Sequence, residues 1–183
     1  MSAVRVLHFI RHGQYTPTTS GGLLTGLGRR QAKRTGKRLG RLDIAAVHCS
    51  TLDRAIESAH IISDELGGLP IKKTPVLREC LPTAIKGALV PLATRARGRG
   101  NVEKVLERYF RSARSERHEV FVCHGNLIRA VVMHALGLPM SKWVKMWIHH
   151  GSVTTLTVHK GGIVRLQSFN DFGHMPPSMI SHV

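Results

Sequence analysis

Acidic and aromatic residues are scarce in this 183-residue chain: 11 Asp and Glu stand against 27 Lys and Arg, and there are two Trp, two Tyr and five Phe. The shortage of carboxylates leaves a formal net charge of +16, which favours anionic partners. The shortage of rings removes the interleaving of basic and aromatic residues by which single-strand binders stack bases, so dedicated nucleic-acid binding is not expected. The three cysteines, Cys49, Cys80 and Cys123, are scattered without a Cys-x-x-Cys spacing. Neither a zinc site nor a disulfide framework is indicated, and they read as small buried side chains at strand ends. No apolar run approaches the ~20 residues of a membrane helix. A strand pattern begins within the first few residues, which leaves no room for a signal peptide, and the expected location is cytoplasmic.

The length suits one domain, and a domain of this size buries roughly 70% of its unfolded surface without staples. Residues 4–10 are almost continuously apolar, as a strand covered on both faces must be. A helix is predicted over 25–42, where Leu24, Leu27, Gln31, Thr35, Leu39 and Leu42 form one stripe. Gly28 and Gly36 inside it cost about 1 kcal/mol each against alanine, which points to close packing. A strand follows at 44–49. Ser50-Thr-Leu-Asp53 matches a capping box opening a helix to 66, closed by Gly67-Gly68. A short strand is expected near 71–74, a helix over 102–115, a strand at 119–123 and a helix over 126–136. A hairpin of strands at 153–159 and 163–169 completes the pattern, followed by a tail without regular structure. This alternation predicts an α/β three-layer sandwich, a mostly parallel sheet with helices on both faces. One domain, 1–183, is expected, with a small cap or insertion at about 80–115 that includes the basic stretch Arg95-Ala-Arg-Gly-Arg99.

Parallel sheets hold ligands beyond the carboxyl ends of their strands. The first strand runs into Arg11-His12-Gly13-Gln14, and the strand at 119–123 runs into His124-Gly125-Asn126. Two strands that each deliver a histidine to the same edge can place both imidazoles in one crevice. Arg54 falls in the first turn of the helix after the second strand, and Glu79 follows the third. Helix N-termini add partial positive charge at that edge. The set suits a phosphoryl group: a neutral imidazole as nucleophile, forked guanidinium donors for the equatorial oxygens, and a carboxyl group as general acid. His124, if protonated, would add a third cation. The chemistry requires neither metal nor cofactor. Twelve histidines in the chain make a single Arg-His pair uninformative; the two His-Gly junctions together with Arg54 carry the inference.

The strings Ile10-Arg-His-Gly-Gln14, Leu24-Thr-x-x-Gly28-x-x-Gln31-Ala32, Ser50-x-x-x-Arg54-Ala55, Leu77-Arg-Glu79 and His124-Gly125-Asn126 together resemble the histidine phosphatase superfamily, also called phosphoglycerate-mutase-like. The resemblance implies His12 as the phosphorylated nucleophile, a phosphate pocket of Arg11, Arg54 and His124, and Glu79 as proton donor. Gly13, Gln14, Gly125 and Asn126 are expected beside the substrate. Many members carry an asparagine phosphate contact where Thr18 stands here. A narrower similarity, through Gln14-Tyr15, Gly151-Ser152-Val153-Thr154 and Gly173-x-Met175-Pro-Pro177, is to the mitochondrial serine/threonine protein phosphatases of this superfamily. It implies hydrolysis of phosphoproteins and a homodimer. The alternatives are a small-metabolite phosphatase or mutase and, more remotely, a non-catalytic binder of phosphate or nucleic acid.

Overall fold

The computed structural model describes residues 4–18, 21–81, 83 and 92–182, with the backbone alone for 92–99. The elements are β1 (Arg5–Arg11), β2 (Tyr15–Thr16), β3 (Leu23–Leu24), α1 (Gly26–Leu39), β4 (Ile44–Cys49), α2 (Asp53–Glu65), β5 (Ile71–Lys73), α3 (Leu92–Tyr109), β6 (Arg117–Cys123), α4 (Gly125–Ala135), β7 (Val153–Val158) and β8 (Val164–Asp171). Six strands form one sheet in the order β5-β4-β6-β1-β7-β8. β5, β4, β6 and β1 are parallel, and β7 and β8 close one edge antiparallel.

Alternation along β1 divides the core. Leu7 and Phe9 join Phe121 and Cys123 against Val105 and Tyr109 of α3 and Leu127 and Val131 of α4. Ile10 joins Val120 and Val122 on the other face, against Ala32 and Leu39 of α1 and Ala59 and Ile62 of α2. This is the expected sandwich of helices on both faces of a mostly parallel sheet.

Both helical glycines sit at close approaches. A Cβ on Gly28 would stand 2.0 Å from the carbonyl oxygen of Gln14, and one on Gly13 would stand 2.3 Å from that of Gly28. A Cβ on Gly36 would stand 2.8 Å from the Cβ of Glu65. Only hydrogen at these positions lets the loop after β1 and the helix α2 press against α1.

Several expected boundaries move. The helix predicted over 25–42 starts after Thr25, whose hydroxyl accepts from the Gly28 amide at 3.0 Å, and ends at Gly40. Ser50 does not cap α2: the N-cap is Leu52, with no side-chain bond. The Ser50 hydroxyl instead contacts His124 Nε2 at 2.7 Å. The helix predicted over 102–115 begins ten residues earlier, at Leu92, and ends at Tyr109. The expected cap falls in part on 82 and 84–91, outside the described residues, as are the side chains of Arg95, Arg97 and Arg99. One face of the rest of the helix enters the core, where Val102, Val105 and Tyr109 are buried. The β2–β3 hairpin was not expected; two-residue strands leave no readable period. Among the described residues the segment after β8 has one 3-10 turn, Pro177–Met179, yet Met179, Ser181 and His182 bond to Gln31, His150 and Arg11.

Candidate active site

Parallel pairing sets the centre of the site. Arg11 lies opposite Cys123 in the β1–β6 register, and the His12 amide donates to the Cys123 carbonyl at 3.1 Å. The next residues on the two strands, His12 and His124, therefore leave the sheet side by side. Their ring centroids are 5.1 Å apart, and both are buried.

Hydrogen bonds fix how His12 presents itself. Its Nδ1 lies 2.8 Å from the Gly13 carbonyl. A carbonyl only accepts, so Nδ1 carries the proton. Nε2 is left with its lone pair, which accepts from Arg54 Nε at 3.0 Å. Burial, then the neighbouring His124 ring, which cannot share the site as a second cation, and the charges of Arg54 and Arg11 hold the His12 pKa well below the usual histidine value. His12 is thus a neutral imidazole with one lone pair, on Nε2, the form a nucleophile needs.

His124 was expected to add a third cation if it is protonated, and its surroundings oppose that proton. Burial, together with Arg54, Arg11 and Arg78, pushes its pKa well down. It faces the site as a neutral ring, with Ser50 on Nε2 and no partner for the buried Nδ1.

The cations are Arg11 and Arg54. Arg54 is carried by the first turn of α2. It donates to the Gly21 carbonyl, and its guanidinium carbon lies 4.6 Å from the centre of the Tyr15 ring. Arg11 donates from Nη1 to the carbonyls of Ile148 at 2.7 Å and His182 at 2.8 Å, while its buried Nε has no partner. Burial lowers the Arg11 pKa to about 10, with Glu79 acting against that fall, so it stays charged at neutral pH. Glu79 is half-buried and accepts from the Cys80 amide at 3.1 Å. Burial raises its pKa; that bond and the charges of Arg54 and Arg11 oppose the rise. A carboxyl group so placed keeps its proton to higher pH than a solvated glutamate.

The remaining expected residues divide. Gly125 opens α4 with its Cα near Ile148 and the Arg11 side chain. The Gly13 amide donates to Ser58 Oγ at 3.1 Å. The Gln14 side-chain oxygen accepts from the Thr25 hydroxyl at 2.8 Å, which ties it to the start of α1. Asn126 accepts from Arg129 at 3.1 Å, on the flank of α4. The Thr18 hydroxyl accepts from the Gly22 amide at 2.9 Å. The three cysteines are free and buried, and burial raises the Cys49 thiol to about 11, which leaves little thiolate. Among the described residues no group of three or more His, Cys, Asp or Glu could hold a metal ion.

His150 was missed. It is buried, 5.6 Å from His12 between ring centroids. Its Nδ1 lies 3.0 Å from the Ser181 hydroxyl, and its buried Nε2 has no partner. Burial, then Arg11, lowers its pKa to about 3. The signal was its place immediately before Gly151-Ser152, where β7 enters the sheet: the Gly151 amide donates to the Arg11 carbonyl at 2.9 Å. Arg11 Nε, His124 Nδ1 and His150 Nε2 are thus buried polar atoms without protein partners, on residues grouped about His12.

A neutral imidazole beside two guanidinium groups and a proton-retaining carboxyl group is equipped for phosphoryl transfer. The model of the histidine phosphatase superfamily (branch 1) matches residues 7–90 and 93–171. The chain belongs to that superfamily.

This histidine phosphatase is similar to serine/threonine-protein phosphatase PGAM5, mitochondrial, of Xenopus tropicalis, at 34% identity over 191 residues, 98% of this chain and 69% of the relative. It is 35% identical to the protein of that name from Homo sapiens over 195 residues, 98% of this chain and 66% of the relative. It therefore spans about two thirds of the length of these relatives. In fold it is similar to mycobacterial glucosyl-3-phosphoglycerate phosphatase, with a TM-score of 0.70 and 24% identity over 91% of this chain and 99% of the other. The family and its phosphatase-named relatives make this chain a phosphatase. The expected cytoplasmic location is corrected by the same relatives, whose names place them in mitochondria. The start of the strand pattern carried no information on this point. Among the described residues no helix is long and apolar enough to cross a membrane.

Proposed function

We propose that this phosphatase hydrolyses phosphoserine and phosphothreonine esters of proteins through a phosphohistidine at His12. The observation that carries the mechanism is the single lone pair of neutral His12, held by Gly13 on one side and Arg54 on the other. The relatives at 34–35% identity support the substrate class.

His12 Nε2 attacks phosphorus, and the bond to the ester oxygen breaks. Arg54 passes its hydrogen bond from the attacking nitrogen to a phosphoryl oxygen, joined by Arg11 and by the free ring nitrogens of His124 and His150. Glu79 gives its proton to the leaving alkoxide. Water then attacks the phosphorus of phospho-His12 and yields a proton to the Glu79 carboxylate. The P–N bond breaks, releasing inorganic phosphate and restoring both side chains.

The test is the His12→Ala variant on p-nitrophenyl phosphate, paired with acid-labile, alkali-stable radiolabel on the wild type from a phosphopeptide. Loss of turnover and of label is expected. Wild-type turnover by the variant overturns the mechanism. A panel of phosphopeptides, sugar phosphates and phosphoglycerates tests the substrate class, and a preference for the small esters overturns it.

A further inference from the structure

A dense concentration of positive charge lies outside the catalytic centre. Arg30, Lys33, Arg34, Lys37, Arg38 and Arg41 line one side of a cleft of about 600 Å³. All six are exposed. Gly173, His174 and Met179 of the C-terminal segment form the other wall. The cations fall in two rows at four-residue spacing, Arg30-Arg34-Arg38 and Lys33-Lys37-Arg41. Like charges four apart on a helix repel, so this face destabilises α1 when alone. Lys33 reaches Glu65 at 3.8 Å, and Arg38 pairs with Asp171. Arg30, Arg34, Lys37 and Arg41 have no carboxylate partner among the described residues. Placing Lys37 and Arg38 in the last turn suits the helix dipole, but that argument does not reach Arg30 or Arg34.

The cleft is connected to the catalytic residues. The Met179 carbonyl on its wall accepts from Gln31 Nε2 at 2.6 Å, and Gln31 Oε1 accepts from the Gln14 amide at 2.8 Å. Two and three residues beyond Met179, Ser181 meets His150 and His182 meets Arg11. We infer that this cleft docks an acidic segment of the phosphoprotein substrate, flanking the phosphorylated residue held at His12. The inference takes its substrate class from the function proposed above.

Shape and chemistry select this occupant. The helical part of the stripe, Arg30 to Arg38, is about 12 Å long, Arg41 lies just past the helix end, and the tail walls the stripe on one side, which suits one extended chain rather than a flat membrane or a duplex. The cleft lining contains no Phe, Tyr or Trp, so it offers no platform for stacked bases. Arginine forks match carboxylates in pairs.

The test compares the wild type with the triple variant Arg34→Gln, Lys37→Gln, Arg41→Gln; glutamine keeps the helix propensity of the residues it replaces. A fluorescent oligoglutamate peptide carrying no phosphate is titrated at low salt. The expected result is binding weakened about tenfold in the variant, with kcat/KM for p-nitrophenyl phosphate unchanged. Phosphopeptides with an acidic tail should show a lower KM than those with a neutral tail, and the difference should vanish in the variant. Equal affinity of both proteins for oligoglutamate overturns the inference. So does tighter, variant-sensitive binding to single-stranded DNA or to vesicles of anionic lipid. Variant-sensitive oligoglutamate binding without hydrolysis of any phosphopeptide keeps the cleft and removes the phosphoprotein reading instead.

Discussion

Arg54 Nε donates to His12 Nε2 at 3.0 Å, so one guanidinium orders the proposed nucleophile and, in the proposed mechanism, takes the phosphoryl oxygens. Lysine cannot reproduce that fork. Arg54→Lys is expected to lower kcat/KM about 10²–10³-fold. Arg54 is also one of the charges that depress the His12 pKa. Arg54→Gln should therefore move the imidazole titration upward, which NMR of ring-labelled histidine reads directly. An unmoved titration would show that the contact does not govern His12.

Glu79 is asked to protonate a leaving group, and substrates differ in that need. Glu79→Gln should reduce turnover of phosphoserine peptides about 10²–10⁴-fold and spare p-nitrophenyl phosphate, whose leaving group departs as a stable anion. Because burial raises the Glu79 pKa, the acid form is present below that value and lost as pH rises through it. The wild-type kcat/KM for phosphoserine peptides should thus fall on the alkaline side, and the variant should lack that limb. Equal losses on both substrate types would remove Glu79 from the proton-donor role.

Ser50 is fully buried and holds His124 Nε2 at 2.7 Å. Ser50→Ala leaves that nitrogen without a partner, a cost of about 1–3 kcal/mol, and frees the ring to turn. Both the urea midpoint and kcat should drop. A variant with wild-type kcat would make Ser50 a packing residue alone.

Gly28→Ala would ordinarily strengthen a helix by about 1 kcal/mol. Here the new Cβ meets the Gln14 carbonyl oxygen at 2.0 Å, and backbone must shift. The thermal midpoint should fall instead of rising, and activity should fall with it, since Gln14 lies two residues from His12. A stabilised, active variant would contradict the close approach.

At the opposite edge of the sheet, Glu119 is 2% exposed. Burial alone would raise its pKa. Contacts from His48 and Arg5, and the charges of Arg5 and Arg117, overcome this and hold it at about 2. A carboxylate depressed in the folded state stabilises above its unfolded value of 4.5 and loses that contribution as pH falls toward 2. The contribution is about 3 kcal/mol. Urea titrations of the wild type should show a steep loss of stability across that window, and Glu119→Gln a flatter and lower curve. A parallel curve would place the acid sensitivity elsewhere.

The sheet and its helices were readable because buried parallel strands leave continuous apolar runs, as at 4–10, and covered helices leave a stripe. Arg11, His12, Arg54, Glu79 and His124 were readable for a related reason, since each ends a strand or follows one with little intervening chain. What the sequence did not show depends on contacts distant along the chain. Ser50 fits a local capping pattern, yet its partner is 74 residues away. His150 precedes a strand rather than following one, and only the antiparallel insertion of β7 beside β1 brings it to the carboxyl edge. The neutrality of His124 is a property of burial among arginines, which spacing does not encode. The early start of α3 lies in a stretch whose glycines and prolines mask its periodicity.

The carbonyl of His182 rests on the guanidinium of Arg11, and Ser181 rests on His150. An affinity handle or fluorescent fusion joined behind Val183 would therefore tug on the anion pocket itself. One joined ahead of β1 would enter at Arg5, at the far rim of the sheet, where no proposed catalytic group lies. Reagents made from this chain should carry their attachments in front.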